Sequence, residues 1–439
     1  MTARSAVIAG VLVACGGDHH HGIDAPPLDA PTDTLVPSSG QPPPEAVAIH
    51  VTRLGEPAPN LAVYFQTPDS TVELATTTDP TGIAWALAAD GDFVTVIEPA
   101  NTTGATAVTT FAGVRRSDRL ELALDPVVSN PQVTVTLHVP LQNGALAYQI
   151  HNPCGDVVAL DASGSGDVTF LDCGAGLIDL VITPTDSDGA SVFGALFTTG
   201  VVVASGSSVT IVGGYTSFDT ASFTYTVPAT VGYVNTYQAI LTPRGRVFDA
   251  SAGAAPASGS AATSVKQPHT PGGTTALTVT DAVPIDSETS QQSVFEWSPW
   301  SATHALDVAA QRLPEYAGVA TFDLASSSVT WSERAGGVAP SLVRAGLNVY
   351  RDAIPEGRRW TWRIAAPRGG TAVALPHIPV NGFDFNPTAG DSVTVDDLTN
   401  ALVPGGYDAV RAHAFDDLVR VISVGTGTMI VEGTYSPPL

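Results

Sequence analysis

The chain has 439 residues, of which 44% are hydrophobic and 14% charged, so wholesale disorder is excluded. Its 42 acidic residues outnumber 18 basic ones and give a formal net charge of −24, which excludes nucleic-acid binding because phosphate contacts require a patch of Lys and Arg. Beyond the first 45 residues, Val, Thr, Ser, Gly and Pro are abundant and turn-forming residues recur frequently. This pattern predicts an all-β fold of tandem β-sandwich domains that follow a disordered tether.

The first segment of interest is an uninterrupted run of small and apolar residues, Ala6–Ala14, after one basic residue, Arg4. The run is far shorter than the roughly 20 residues that span a bilayer, and it is typical of a signal-peptide core. It ends in LVAC (12–15), which resembles the lipobox of bacterial lipoprotein signals. The resemblance implies cleavage before Cys15, acylation of Cys15 and, with Gly16 following it, delivery to the outer membrane. An ordinary secretory signal with an incidental cysteine is the alternative.

Three histidines and a proline-rich segment follow the cysteine. The histidines at 19–21 could bind a transition metal, but adjacent histidines on a flexible segment without a further ligand favour no metal role. Residues 22–44 contain seven prolines and no basic or aromatic residue, so they cannot bury enough surface to fold. Residues 1–14 are therefore predicted to be a signal peptide and 15–45 a Pro/Asp-rich disordered tether.

Residues 46–126 alternate apolar and polar positions between turn signals. The predicted strands include VAIHVTRL (47–54), LAVYFQT (61–67) and two strands within 83–99 on either side of Asp90-Gly91. Their order and their Gly-, Pro- and Asp-containing turns resemble the carboxypeptidase regulatory-like (transthyretin-like) β-sandwich. The resemblance implies a module that acts as a non-catalytic spacer or binding unit.

Residues 127–220 are predicted to be a second β-sandwich, which is a candidate duplicate of the first. The landmark pairs are Tyr64 with Tyr148, Gly82 with Gly166 and Pro99 with Pro184, at offsets of 84, 84 and 85 residues. Repeats of this length favour duplicated sandwiches over a solenoid, although Gly-rich β modules also share such patterns by chance. A third copy is indicated to begin at 236–245, within a β-rich module that spans 221–311. Residues 251–273 of this module are predicted to form a long exposed loop.

Residues 312–439 form the last predicted module. Segments at 320–333, 342–352, 358–369 and 372–379, with a Trp in an early strand and a WTW strand, resemble a fibronectin type III-like sandwich. The resemblance implies a further Ig-like β-sandwich. Alternation places Trp360 and Trp362 on one face, where the tryptophans are predicted to fill the core.

The segment FEWSPWS (295–301) is predicted to be a Pro-containing loop. Loops bury two indole rings poorly, so Trp297 and Trp300 are candidate contacts for a carbohydrate or a partner. Packing of these rings against a neighbouring domain is the alternative.

Two cysteines remain if Cys15 is acylated, namely Cys154 and Cys173. Such a pair in an exported chain favours a disulfide, which would close a loop of about 20 residues and stabilise the fold by roughly 3 kcal/mol. A zinc site that includes His151 is the alternative.

Calcium is the inorganic partner that the sequence favours over the others. Asp186 and Asp188 in DSDG (186–189) resemble the core of a calcium-binding loop and are candidate ligands. Asp and Gly are equally common in plain turns, so a turn without metal is the alternative.

The chain has no HExxH, GxSxG, Walker or dinucleotide-binding motif, which favours a non-catalytic role. The sequence predicts a lipid-anchored cell-envelope protein, on the periplasmic or extracellular side of the outer membrane, that binds or scaffolds a protein or polysaccharide. One alternative is an envelope hydrolase, or its accessory subunit, acting on glycan or peptide; another is a calcium-stabilised adhesin. A concave pocket that gathers His and Asp from several loops would favour the hydrolase.

Overall fold

A computed structural model of the protein describes residues 40–99, 106–124, 132–154, 157–171, 175–186, 193–270, 275–285, 290–352, 357–379, 383–418 and 429–435. The predicted signal peptide, Cys15 and most of the tether lie outside these residues. The last tether residues, 40–45, contact the first sandwich: the Arg119 guanidinium donates to the Pro43 carbonyl (3.0 Å) and Trp85 Nε1 donates to the Gly40 carbonyl (3.3 Å). None of the described helices is long and apolar enough to cross a bilayer.

The first sandwich, called the first unit, occupies residues 47–123. Its short strands arise where apolar residues alternate with polar ones between Gly- and Asp-containing turns. The strands are β1 (Val47–Arg53), β2 (Glu56–Pro57), β3 (Ala62–Gln66), β4 (Val72–Thr77), β5 (Ile83–Ala86), β6 (Phe93–Glu98), β7 (Thr106–Ala112) and β8 (Arg119–Ala123).

Two layers form this unit. In one layer, β1 pairs antiparallel with β5 and parallel with β8, and the two-residue strand β2 folds back on β1. In the four-stranded layer the order is β4–β3–β6–β7, with antiparallel pairing throughout. Val47 and Ile49 of one layer meet Phe65 and Val94 of the other in the core, and all four are fully buried.

The second unit repeats this topology. Its β9 pairs antiparallel with β12 and parallel with β15, while the other layer has the order β11–β10–β13–β14. The two units thus share one strand order, and their origin by duplication stays a prediction. The strands are β9 (Val133–His138), β10 (Ala147–His151), β11 (Val158–Asp161), β12 (Ser165–Phe170), β13 (Gly176–Thr185), β14 (Leu196–Val203) and β15 (Ser208–Thr210).

One landmark of the predicted repeat is shifted in the structure. The Gly82 carbonyl accepts from Val51 N (2.8 Å), and the equivalent bond in the second unit joins Val139 N to the carbonyl of Gly164, not of Gly166. Gly82 and Gly164 both have positive φ, +78° and +61°, which explains the glycine in each turn. The shared signal is Asp-x-Thr/Ser-Gly, at 79–82 and at 161–164.

The third unit has the same topology again. Its β16 pairs antiparallel with β19 and parallel with β22, opposite a layer of order β18–β17–β20–β21. The strands are β16 (Asp219–Thr226), β17 (Val231–Thr242), β18 (Gly245–Ala254), β19 (Ser260–Gln267), β20 (Thr275–Pro284), β21 (Ser290–Pro299) and β22 (Thr303–Asp307).

The predicted long exposed loop at 251–273 is wrong. Residues 251–254 complete β18 and 260–267 form β19, which pairs with β16 over eight residues. Small Ala, Ser and Thr side chains suit this strand because Ala261 and Val265 are buried against the unit's core while their neighbours face outward. The low hydrophobicity of residues 260–267 therefore led to a wrong prediction, because β19 is stabilised by pairing with its neighbour and not by large apolar side chains.

The fourth unit retains the four-stranded layer, in the order β26–β25–β28–β29, and pairs β24 with β27 and β23 in the other layer. The strands are β23 (Thr321–Asp323), β24 (Ser328–Thr330), β25 (Leu342–Arg351), β26 (Arg358–Pro367), β27 (Ala372–Ala374), β28 (Ser392–Leu402) and β29 (Met429–Tyr435). The described helices are α1 (Val308–Gln311), which precedes this unit, and α2 (Tyr407–Val410), which continues into a 3₁₀ turn, Arg411–His413. Tyr407–Leu418 is called the α2 segment below.

Three units are joined edge to edge into one twelve-stranded sheet. Strand β21 of the third unit pairs antiparallel with β29 of the fourth, and β26 of the fourth pairs parallel with β7 of the first. The sheet order is thus third unit, fourth unit, first unit. Pairing of Trp360 with Thr106 and of Trp362 with Val108 sets the register of the parallel junction.

The two faces of this sheet carry separate cores. One face carries the first unit's core; the other carries the fourth unit's core, which contains Trp331, Trp360 and Trp362, each at most 6% exposed. The predicted core role of these tryptophans is confirmed. Trp362 Nε1 donates to Thr110 Oγ1 of the first unit (3.0 Å), so a core residue of the fourth unit also bonds to the first unit at their junction.

Candidate functional site

A cleft of about 520 Å³ opens where the second unit meets the third unit and the α2 segment. Its floor is a part of the twelve-stranded sheet, one wall is the end of β10, and the rim is the β17–β18 hairpin. The lining residues are His151, Asn152, Pro153, Val157, Leu241, Gly245, Arg246, Val247, Phe248, Asp249, Leu277, Trp297 and Asp417.

The floor is apolar and rigid. Leu277 on β20 is directly opposite Trp297 on β21, and Leu241 lies one strand further on the same face. Trp297 is only 4% exposed and belongs to the core that includes Ile430 and Leu418. Because the ring is held in place by this core, a ligand that contacts it loses little side-chain entropy on binding.

The wall from the second unit ends in a neutral histidine. The His151 ring lies 4.8 Å from the Phe248 ring, and its Nε2 is 3.3 Å from Thr183 Oγ1. Burial lowers the pKa of His151 to about 4, while the nearby Asp249 carboxylate acts in the opposite direction. The imidazole is therefore uncharged at neutral pH.

Charged groups occupy the rim. Arg246 and Asp249 project from the β18 side of the hairpin and form an ion pair of 3.6 Å, with both side chains solvent-accessible. Asp417 at the end of the α2 segment supplies a second carboxylate. The cleft therefore combines an apolar floor with polar groups at its rim, the arrangement common in ligand sites.

A buried ion pair sets the position of the wall relative to the floor. Arg244, at the tip of the β17–β18 hairpin, donates from Nη1 to Asp179 Oδ1 (2.8 Å) on β13, and Asp179 is fully buried. The same oxygen accepts from Gly200 N (2.7 Å). Beside this pair, Val181 of the second unit packs against Val247 of the third. The hairpin is thus anchored in both units that form the cleft.

The sequence-predicted aromatic contacts are not in a loop. Trp297 lies within β21, and Trp300 follows that strand in a half-buried position. Only Trp297 lines the cleft. The predicted loop over 295–301 is wrong for residues 295–299, because these belong to β21, which is paired with β20 and with β29.

The predicted disulfide lies at the end of β10. Cys154 is buried, whereas Cys173 lies outside the described residues, so the disulfide between them stays a prediction.

The calcium candidates are divided in the same way, since Asp186 is described and Asp188 is not. Within the described residues no group of three or more His, Cys, Asp or Glu side chains could hold a metal ion. The acidic turns of the first unit have another role: Asp79 Oδ1 accepts from Thr81 N (2.8 Å), and Asp92 Oδ2 accepts from Ala89 N (2.6 Å). Calcium binding at 186–189 stays a prediction.

Most of the cleft residues carried no usable signal in the sequence. Arg246, Phe248 and Asp249 occur together in RGRVFD (244–249), a concentration of charged and aromatic residues in a chain with few charges. Asp417 is one of two adjacent acidic residues, Asp416 and Asp417, a pattern typical of a solvated surface. These groups meet only because the second unit packs against the third, which no local pattern encodes.

No protein-family model matches the chain, and no curated protein matches it. Among solved structures, similarity is found to the TIE protein of Bacillus anthracis, at 13% identity and a TM-score of 0.15, covering 60% of this chain and 49% of that one. A CBM26 module of Eubacterium rectale Amy13K, solved with maltoheptaose, is 13% identical with a TM-score of 0.13, covering 40% of this chain and 90% of that one. The major pilin of Streptococcus pyogenes is 8% identical with a TM-score of 0.10, covering 55% and 97%. The chain thus spans about half the length of the first of these proteins, and similarities this low carry no argument about function.

Proposed function

We propose that this protein is a lipid-anchored, non-catalytic binding protein of the cell envelope and that the cleft between the second and third units holds its ligand. The observation that carries the proposal is the composition of the cleft: a rigid floor of Trp297 and Leu277 below a polar rim of Arg246, Asp249 and Asp417. A ligand with apolar surface and several hydrogen-bonding groups, such as a polysaccharide or peptide of the envelope, matches this composition.

The rim residues provide the test because their side chains are accessible and their replacement leaves the core intact. Purified full-length chain with Cys15→Ser would be applied to arrays of envelope polysaccharides and peptides. We expect Arg246→Ala or Asp417→Asn to weaken binding at least about 10-fold, since a hydrogen bond to a charged group contributes roughly 1.5–3 kcal/mol. Arg116→Ala and Asp352→Asn, which remove exposed charges outside the cleft, are the matched controls.

Equal effects of the rim variants and the control variants would refute the assignment of the cleft. Losses shared by Arg246→Ala and Arg116→Ala but absent from both Asp→Asn variants would indicate a general electrostatic effect, since the chain is strongly acidic.

Anchoring through Cys15 is a separate part of the proposal and has a separate test. Protease treatment of intact cells, with Cys15→Ala as the control, reports both anchoring and orientation. Digestion of the wild type in intact cells supports an outward-facing protein, and protection until the outer membrane is opened supports periplasmic partners. If Cys15→Ala fractionates with membranes as the wild type does, lipid anchoring is refuted.

One observation favours a hydrolase as the second candidate: the cleft gathers His151, Asp249 and Asp417 from three separate segments. The state of His151 argues against general-base catalysis at neutral pH, because a base with a pKa of about 4 has little affinity for a proton there. Release of soluble fragments from envelope glycan or peptide, lost in Asp249→Asn, would support the hydrolase. Equilibrium dialysis with calcium would test the adhesin alternative.

A further inference from the structure

The floor of the cleft continues beyond the cleft along the third unit. On β17, β20 and β21 the next side chains on the same face form a cross-strand row of Tyr237, Val279 and Phe295. Phe295 and Val279 pack against the core below the α2 segment, and Tyr237 is 42% exposed. This row with two aromatic residues therefore lies next to the pair of Leu277 and Trp297 in the cleft floor.

A polar row comes next. Asn235, Asp281 and Ser293 are opposite one another on the same three strands, and Ser293 Oγ donates to Asp281 Oδ1 (2.7 Å). Beyond this row lies Tyr233, which is 46% exposed. The residues Tyr233, Asn235, Tyr237, Val279, Asp281, Ser293 and Phe295 are called the aromatic face. At about 3.4 Å per residue, it extends roughly 20 Å from the cleft floor.

The third unit does not cover this face with its own second layer. Alternate residues of the same strands, such as Val234 and Ala282, point to the opposite side and form the core with Phe223 and Val265. Tyr233 and Tyr237, each more than 40% exposed, place two aromatic rings on the outer side of this sheet. The exposed face is continuous with the cleft.

The backbone around the face restricts the kind of ligand. Strands β17, β20 and β21 are each paired on both sides, so an extended peptide lying on this face cannot pair with their backbones; the edge strand at this end of the sheet is β18, which carries no residue of the aromatic face. Exposed tyrosine rings alternating with amide, carboxylate and hydroxyl groups match sugar rings, which have apolar faces and peripheral hydroxyls. Carboxylates at Asp281, Asp249 and Asp417, on a chain of net charge −24, disfavour anionic polymers.

We propose that the ligand is a neutral glycan chain that lies along the aromatic face with one end in the cleft. This inference rests on the proposed binding function and deepens it, because it specifies a chain of several sugar residues and assigns Tyr237 and Tyr233 as contacts outside the cleft.

The test uses full-length chain with Cys15→Ser and three neutral oligosaccharide series (malto-, cello- and chito-oligosaccharides) of increasing length in titration calorimetry. We expect affinity to rise with length within at least one series. Tyr237→Ala should lower the affinity for the longest oligomer about 3- to 10-fold and leave the shortest unchanged, because one aromatic contact is worth roughly 0.5–1.5 kcal/mol. Tyr350→Ala is the matched control, since Tyr350 is also 42% exposed but lies on β25 of the fourth unit.

The outcomes separate the two proposals. Binding that Arg246→Ala weakens, with no dependence on length or on Tyr237, supports the cleft and overturns the aromatic face. Equal losses in Tyr237→Ala and Tyr350→Ala also overturn it. Binding that depends on Tyr237 but not on Arg246 or Asp417 supports the face and overturns the cleft. If none of the three series binds, the neutral-glycan assignment is refuted, whereas a positive peptide array would leave the cleft intact.

Discussion

The ion pair between Arg244 and Asp179 gives the sharpest test of how the cleft is held together. Asp179 is fully buried, and its Oδ1 accepts from Gly200 N and from Arg244, while Oδ2 has no hydrogen-bond partner among the residues that the structure describes. Arg244→Met would leave a buried carboxylate with one donor. Loss of one partner of a buried pair costs 3–5 kcal/mol, and because Arg244 is 35% exposed we expect about 3 kcal/mol.

The effect of Asp179→Asn on stability should then have opposite signs in the wild type and in the Arg244→Met variant. In the wild type it removes the attraction for Arg244 and should destabilise by about 1 kcal/mol, since a partly exposed guanidinium can be hydrated. In the Arg244→Met background it removes a buried charge that has no counter-ion, and we expect it to restore at least about 1 kcal/mol.

Native-state hydrogen exchange, resolved for strands β13 and β17, is the appropriate assay because it reports on this junction separately from the rest of the protein. Slow-exchanging amides of β8 serve as the internal reference, since that strand lies in the first unit. The reasoning is refuted if Asp179→Asn destabilises by the same amount in both backgrounds, or if Arg244→Met changes the junction by less than about 0.5 kcal/mol.

Three further predictions concern single groups. His151 has a pKa of about 4 when folded and 6.5 as its ordinary value, so the stability due to the neutral ring is complete above pH 6.5 and falls by about 3 kcal/mol towards pH 4; urea unfolding of His151→Gln should lack this pH dependence. Gly82→Ala should destabilise by at least about 2 kcal/mol, because an added Cβ would lie 2.5 Å from the Val51 carbonyl oxygen. Gly40 has the same φ of +78° but open space around it, so Gly40→Ala should cost about 1 kcal/mol. Similar melting temperatures for the two variants would contradict this. The Tyr407 hydroxyl lies 2.9 and 3.2 Å from two backbone carbonyl oxygens of β7 and β26, so Tyr407→Phe should accelerate amide exchange in β7 by an amount equivalent to about 1–2 kcal/mol; unchanged exchange would show that the bond contributes nothing.

The all-β sandwich architecture was predictable because alternation and turn residues act locally. The strands at 47–53 and 62–66 and the turn at Asp90-Gly91 lie where period-two patterns predict them. The turn with positive φ at Gly82 recurs at Gly164, and the landmark pair Gly82 and Gly166 missed it by two residues because glycines are frequent in both segments. The burial of Trp360 and Trp362 followed from alternation within one strand.

The relations between units were not predictable. The sequence of β7 encodes a strand but not the partner on its outer edge, which comes from β26 in the fourth unit. The cleft depends on the contact of Val181 with Val247 across two units, and the aromatic face depends on the register of three strands. Single-sequence patterns describe which face a residue occupies, whereas these features depend on which elements become neighbours.

The order of units along the twelve-stranded sheet has a consequence for how the chain folds. The first unit is completed early during synthesis, but the outer edge of β7 stays open until Arg358–Pro367, about 250 residues later, is available to pair with it. An open edge of this kind is a template for pairing with other chains. A chain that crosses a membrane amino terminus first would therefore need protection of β7, and shortening the chain from its carboxyl end should convert the first unit into an aggregation-prone fragment although every residue of that unit is present.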